Sequence, residues 1–175
     1  MTPEEIFKQL LERMLEGLMM HDQFIEYYEF LGLPYYAKCH EKRFKDENKN
    51  YRKIYHYYMI TYNKLIVNKQ IKQPAIIPNS WSQYTRQDVD SKTKQSSVKE
   101  GLEYWLAWEK ETCDFYERMY TELMNFSKVA DAEQVKKLIS DVQLEVEIVQ
   151  QYHLNKVAID FNMGDIIAEN DIDII

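Results

Sequence analysis

Apolar residues recur at helical spacing over four long stretches, 4–31, 35–68, 96–127 and 131–162, and the pattern lapses between 74 and 95. In the first stretch the stripe is Phe7, Leu11, Met14, Leu18, Ile25 and Tyr28. In the second it is Tyr36, His40, Phe44, Glu47, Tyr51, Ile54, Tyr58 and Leu65. The third carries Val98, Leu102, Trp105, Thr112, Tyr116, Met119, Leu123 and Phe126. The fourth carries Val135, Leu138, Val142, Val149, Tyr152 and Ile159, widened by Ile139, Val146 and Val157. Each stripe keeps one face of a helix apolar, so four amphipathic helices are predicted.

Local signals set their ends. Thr2, Pro3 and Glu5 form a capping box with proline at the first helical position. Gly32 suits a left-handed C-terminal cap, and Pro34 can begin the next helix. So short a link makes the first two helices antiparallel neighbours. Ser97 and Glu100 suggest a second capping box, the fourth helix is expected to start near Asp131, and Thr85 to Asp88 read as a short helical turn. Trp81 and Tyr84 place the 74–95 segment against the bundle, because a disordered linker rarely carries large aromatics. One long connection between helices 2 and 3 makes the chain, as one domain over 1–175, an all-α bundle of ferritin-like connectivity whose crossover runs its length. Residues 164–175 form an acidic–aliphatic tail, expected to dock on the bundle or on a second subunit.

Charge is segregated. The net charge is −7, yet residues 34–72 carry 10 basic and 3 acidic groups, whereas 96–175 are net −10. Lys38, Lys42, Lys45, Lys49 and Arg52 lie opposite the second stripe, so the excess forms an outward basic face. That face can attract nucleic acid, or the acidic helices of its own fold or of a neighbouring subunit, and the second reading is preferred. No apolar run reaches the ~20 residues of a membrane span. Cys39 and Cys113 show no metal or redox spacing, and the start of the chain does not read as a secretory signal. The expected location is cytoplasmic.

Six polar groups interrupt the apolar stripes: His21, His40, Glu47, Glu109, Glu145 and His153. Inward carboxylates and imidazoles are how di-iron sites are built in bundles, with a Glu-x-x-His pair from each of two helices. No Glu-x-x-His occurs here; the nearest substitutes are Lys53-x-x-His56 and Gln150-x-x-His153. Sequence alone therefore assigns no catalytic, cofactor-binding or metal residue, and leaves open whether Glu47, Glu109, Glu145 and His153 bind a metal. It predicts less than one tightly bound transition metal per chain and no iron oxidation. The aromatic set Tyr104, Trp105, Trp108, Phe115 and Tyr116 reads as core at helical spacing, not as a ligand pocket.

The runs Ile77-Pro78-Asn79-Ser80-Trp81-Ser82-Gln83-Tyr84-Thr85-Arg86-Gln87-Asp88-Val89-Asp90 and Trp105-Leu106-Ala107-Trp108-Glu109-Lys110-Glu111-Thr112, with Tyr116-Glu117, resemble a group of uncharacterised proteins carried by phages and prophages of low-GC Gram-positive bacteria. That resemblance implies a ferritin-like fold and brings no activity with it. A second likeness is to ferritin: Phe44-Lys45-Asp46-Glu47 before Tyr51-Arg52 resembles the run leading into its Glu-x-x-His. On that register the ligand positions hold Tyr51 and Ile54, so no iron-oxidising role carries over. The leading expectation is a non-enzymatic phage or prophage accessory protein acting by assembly, as a homo-oligomer with a dimer favoured, or by binding another protein. The alternative is a ferritin-like metal-binding or oxidative-stress protein with an atypical site. A third is a nucleic-acid-binding accessory protein using basic helix 2.

Overall fold

The N-terminal capping box forms as the sequence requires. Thr2 Oγ1 accepts from the Glu5 N–H at 3.3 Å, and Glu5 Oε2 accepts from the Thr2 N–H at 2.6 Å. These contacts start α1, Pro3–Leu31. Gly32, at φ 70°, closes it by donating to the Tyr28 and Glu29 carbonyls, and Pro34 opens α2, Pro34–Tyr62. The computed structural model describes residues 1–77, 79–86 and 89–162. The 164–175 tail lies outside the described residues, as do Pro78, Gln87 and Asp88. Two more helices follow, α3, Ser91–Asn125, and α4, Val129–Ala158. The described residues contain no strand, and none of their helices is long and apolar enough to cross a membrane.

Several boundaries differ from the expectation, among them the end of α4, at Ala158 and not 162. First, α2 stops at Tyr62, because Asn63 turns left-handed at φ 50°, and Leu65 lies beyond it, exposed. Second, α3 starts five residues early: Asp90, not Ser97, is the cap, its carboxylate accepting from the Thr93 N–H at 2.7 Å. Ser97 instead lies buried inside the helix, donating to the Thr93 carbonyl and accepting from the Tyr27 hydroxyl. An internal hydroxyl that bonds its own preceding turn mimics a cap signal in the sequence. Third, α4 begins before Asp131, which is buried and accepts from Tyr57 at 2.8 Å and Tyr62 at 2.5 Å. The connecting segment carries a 3-10 helix at Asn79–Gln83; of the turn expected at 85–88, Arg86 is in 3-10 conformation, and Gln87 and Asp88 lie outside the described residues. Ile25 is half-buried while Phe24 is fully buried, and Val157 and Ile159 are exposed.

α1 packs on α2 and α3 on α4, and the two hairpins meet mainly through α1 and α3. The segment after α2 follows α1: Lys64 pairs with Glu4, and the N–H groups of Gln70, Lys72 and Ile76 donate to Glu12, Glu16 and Gln23. Trp81 then meets Tyr27 and Phe30, with ring centroids 5.2 and 6.2 Å away. The expected basic face of α2 is exposed at Lys38, Lys42, Lys45, Lys49 and Arg52.

The core divides into two apolar clusters. One gathers Phe24, Tyr28, Leu31, Tyr36, Val98, Leu102, Trp105 and Val149. The other gathers Phe7, Leu11, Ile54, Tyr58, Tyr116, Leu123 and Val135. Buried polar residues occupy the level between them.

Candidate metal centre

Each helix contributes to this polar level. α1 brings His21, with Gly17 one turn before it. α2 brings His40, Arg43 and Glu47, whose spacing of three and four puts all three on one face. α3 brings Trp105, Glu109 and Thr112, and α4 brings Glu145. His21, His40, Glu109 and Glu145 are at most 2% exposed, and the Glu47 side chain keeps 21% of its surface.

His21, Glu47 and Glu109 each offer one ligand atom, and these atoms lie within 4.8 Å of one another. His21 Nε2 is 3.2 Å from Glu47 Oε1. Its other ring nitrogen, Nδ1, is 2.8 Å from His40 Nδ1, so one of the two carries the shared proton. Trp105 Nε1–H donates to Glu109 Oε1 at 2.8 Å and fixes that carboxylate. The Trp105 ring also packs 4.4 Å from His40, and Phe24 stacks on His40 at 4.3 Å. These contacts orient the imidazole pair and hold it dry.

Electrostatics follow from burial. Burial pushes the Glu47 carboxyl up to about 7, although Arg43 and Arg13 oppose the shift. Burial, then the charges of Glu47 and Glu145, push Glu109 up to about 8. Burial also raises Glu145 to about 7, against Arg43. Both imidazoles are held neutral by burial: His21 falls to about 3 and His40 well below its ordinary value. Three carboxylates thus crowd one low-dielectric layer with a single guanidinium among them, Arg43, whose Nη1 lies 2.8 Å from Glu145 Oε2. The second oxygen of Glu145, Oε1, is buried without a hydrogen-bond partner.

Beside Glu47 lies a cavity of about 30 Å³, lined by Arg13, Gly17, Arg43, Asn50, Trp108, Thr112 and Tyr116 among others. It has room for about one water. Arg13 covers it from α1. Its guanidinium rests 3.5 Å from the Trp108 ring centroid, and its Nε and Nη2 donate to Thr112 Oγ1 at 3.0 and 2.7 Å.

Five of the six polar residues picked out on the stripes therefore converge. His153 does not: it faces Glu103 at 3.6 Å and Phe161. On α2 the cluster takes Glu47; Ile54 belongs to the apolar core, and Tyr51 packs against the same cluster. Sequence reasoning missed Arg43 and Gly17. Arg43 had a usable signal, since it lies three residues after His40 and four before Glu47. Gly17 had the same signal relative to His21. No protein-family model and no curated protein matches this chain.

Proposed function

We propose that this protein binds a divalent first-row transition metal ion at the centre of its bundle, through His21, Glu47 and Glu109. The observation that carries the reading is the convergence, from three helices, of one neutral imidazole and two carboxylates within 4.8 Å. It is supported by the excess of carboxyl groups over cations in the layer, three against the one guanidinium of Arg43, and by the unpartnered Oε1 of Glu145. Carboxylate oxygen with imidazole suits manganese, iron(II), cobalt or zinc. The neighbouring cavity suits a water-sized ligand and excludes an organic substrate. Such a site has its place in a ferritin-like fold, a connectivity supported by the segment that follows α1 from Glu4 to Gln23. The absence of Glu-x-x-His removes the usual signature, so the reading favoured here is the atypical-site alternative. Assembly through the exposed lysine row of α2 is compatible with it.

Titration of chelator-treated protein with manganese(II) and cobalt(II) tests the reading. A visible cobalt absorption band and saturable binding are expected. Glu109→Gln and His21→Ala should each weaken binding by at least about tenfold, as loss of a ligand does. Absence of binding at micromolar metal, or unchanged affinity in both variants, would sink the reading.

A glycine offers a second test. A Cβ on Gly17 would stand 2.7 Å from Glu47 Oε2. That oxygen ends a flexible, partly exposed side chain, so the carboxylate should swing aside while α1 stays in place. Gly17→Ala is expected to keep or slightly raise thermal stability, since alanine gains up to about 1 kcal/mol over glycine in a helix. Metal affinity should fall about tenfold in the same protein as the Glu47 ligand is displaced. Equal affinity in Gly17→Ala and wild type would remove Glu47 from the ligand set.

A further inference from the structure

We propose that Arg43 is a fixed cation standing in for a second metal ion, so that the centre takes one divalent ion and no more. This rests on the metal-binding reading above. Carboxylates supplied by all of α2, α3 and α4 in one buried layer are the setting in which bundle proteins hold two ions. Here one of those carboxylates, Glu145, is already engaged: Arg43 Nη1 lies 2.8 Å from its Oε2. The pair is not a full bidentate fork. Arg43 Nε and Glu145 Oε1 are both buried with no hydrogen-bond partner. The guanidinium is held at this place by charge and by its position one turn before Glu47, with less hydrogen bonding than an arginine–carboxylate pair commonly makes.

Charge counting points the same way. With all three ionised, as binding of a cation favours, Glu47, Glu109 and Glu145 supply three negative charges, Arg43 returns one positive charge, and the two imidazoles are neutral. Two negative charges remain, and one divalent ion cancels them. A second ion would leave the layer with an excess of two positive charges beside a guanidinium, at a cost that buried sites do not bear. The neighbouring charges do not change the balance. Arg13 on α1 also acts on Glu47, but its charge is offset by Glu16 and Glu111, each at 3.9 Å. Lys42 and Asp46 on α2 act on Glu145 in opposite directions. Asp141 on α4 accepts from Asn50.

The experiment is equilibrium dialysis of the full chain against manganese(II), with metal analysis per chain, for wild type and Arg43→Met. Wild type should hold one ion. Arg43→Met, which keeps an unbranched flexible side chain and removes its charge, should hold two. Its first ion should also bind at least about tenfold tighter, because a like charge has gone from a low-dielectric layer. Arg43→Lys, which keeps the charge, should return the count to one. If Arg43→Met does not fold, Arg43→Gln serves in its place, with the same expected count of two. A wild-type count of two, or a count of one in a folded uncharged variant, overturns the role of Arg43 and leaves the metal-binding reading standing. A wild-type count of zero overturns the metal-binding reading itself.

Discussion

Stripped of metal, the protein should gain about 3 kcal/mol of stability as the pH falls from 8.5 to 6.5. The cause is the buried carboxylate layer. Glu47, Glu109 and Glu145 titrate near 7, 8 and 7 in the folded chain, against an ordinary value of 4.5. A raised carboxylate pKa means that the folded state takes up protons where the unfolded state does not. Stability therefore rises as pH falls through 8 and 7, and that gain is complete near 4.5. The histidines act in the opposite sense. His21 and His40 are depressed in the fold, so the unfolded chain takes up their protons below about 6.5. The slope should flatten below that pH, and stability should decline once the unfolded carboxylates protonate as well. A maximum near pH 5 is expected. Thermal melts in matched buffers measure it, and the gain from pH 8.5 to 6.5 corresponds to roughly 10 °C in Tm. Relief of the net charge of −7 also favours lower pH, so Glu109→Gln is the comparison. It keeps an acceptor for Trp105, removes the highest-titrating group, and should flatten the slope. Saturating manganese(II) should invert the pH trend, because the ion stabilises the fold most where the carboxylates are ionised. Equal slopes in wild type and Glu109→Gln would show that the layer is not the source.

Gly101→Ala should destabilise the protein by about 2–3 kcal/mol, the range of overpacked cores. On an exposed helix the same change stabilises. The sign is reversed because Gly101 lies where α3 crosses α1. A Cβ there would sit 2.1 Å from the Tyr28 hydroxyl oxygen and 3.2 Å from a ring carbon of Phe24. Tyr28 is 1% exposed and Phe24 fully buried, so neither ring can swing out as Glu47 can at Gly17. Tyr28→Phe removes the nearest atom and should recover a large part of the loss in the double variant. Chemical denaturation of the two single variants and the double variant measures the coupling. Additive effects would mean that the contact is not where the strain arises.

The element order was legible because helical periodicity and caps are local. Thr2, Gly32 and Pro34 act on the turn they occupy, and the stripes of α1 and α3 report burial that every residue of a packed helix face shares. Errors fell where a local signal had two physical explanations. Ser97 resembles a cap yet bonds within its helix, and Leu65 continues a stripe past the residue at which α2 unwinds. Charge segregation was likewise fixed by sequence, since exposed lysines follow from the opposite apolar face.

The centre was only half legible. His21, His40, Glu47, Glu109 and Glu145 announced themselves as polar residues on apolar faces, but the ligand spacing that bundles ordinarily use was absent. Their convergence depends on the rotation and height of four helices packed from distant parts of the chain. Gly17, a residue with no side chain to read, lets Glu47 lie against α1, and Arg43 turns inward among lysines that turn out. Periodicity assigns a residue to a face. Which carboxylate meets which imidazole at one level of the bundle is set by tertiary packing, because that distance is a sum over contacts no single helix contains.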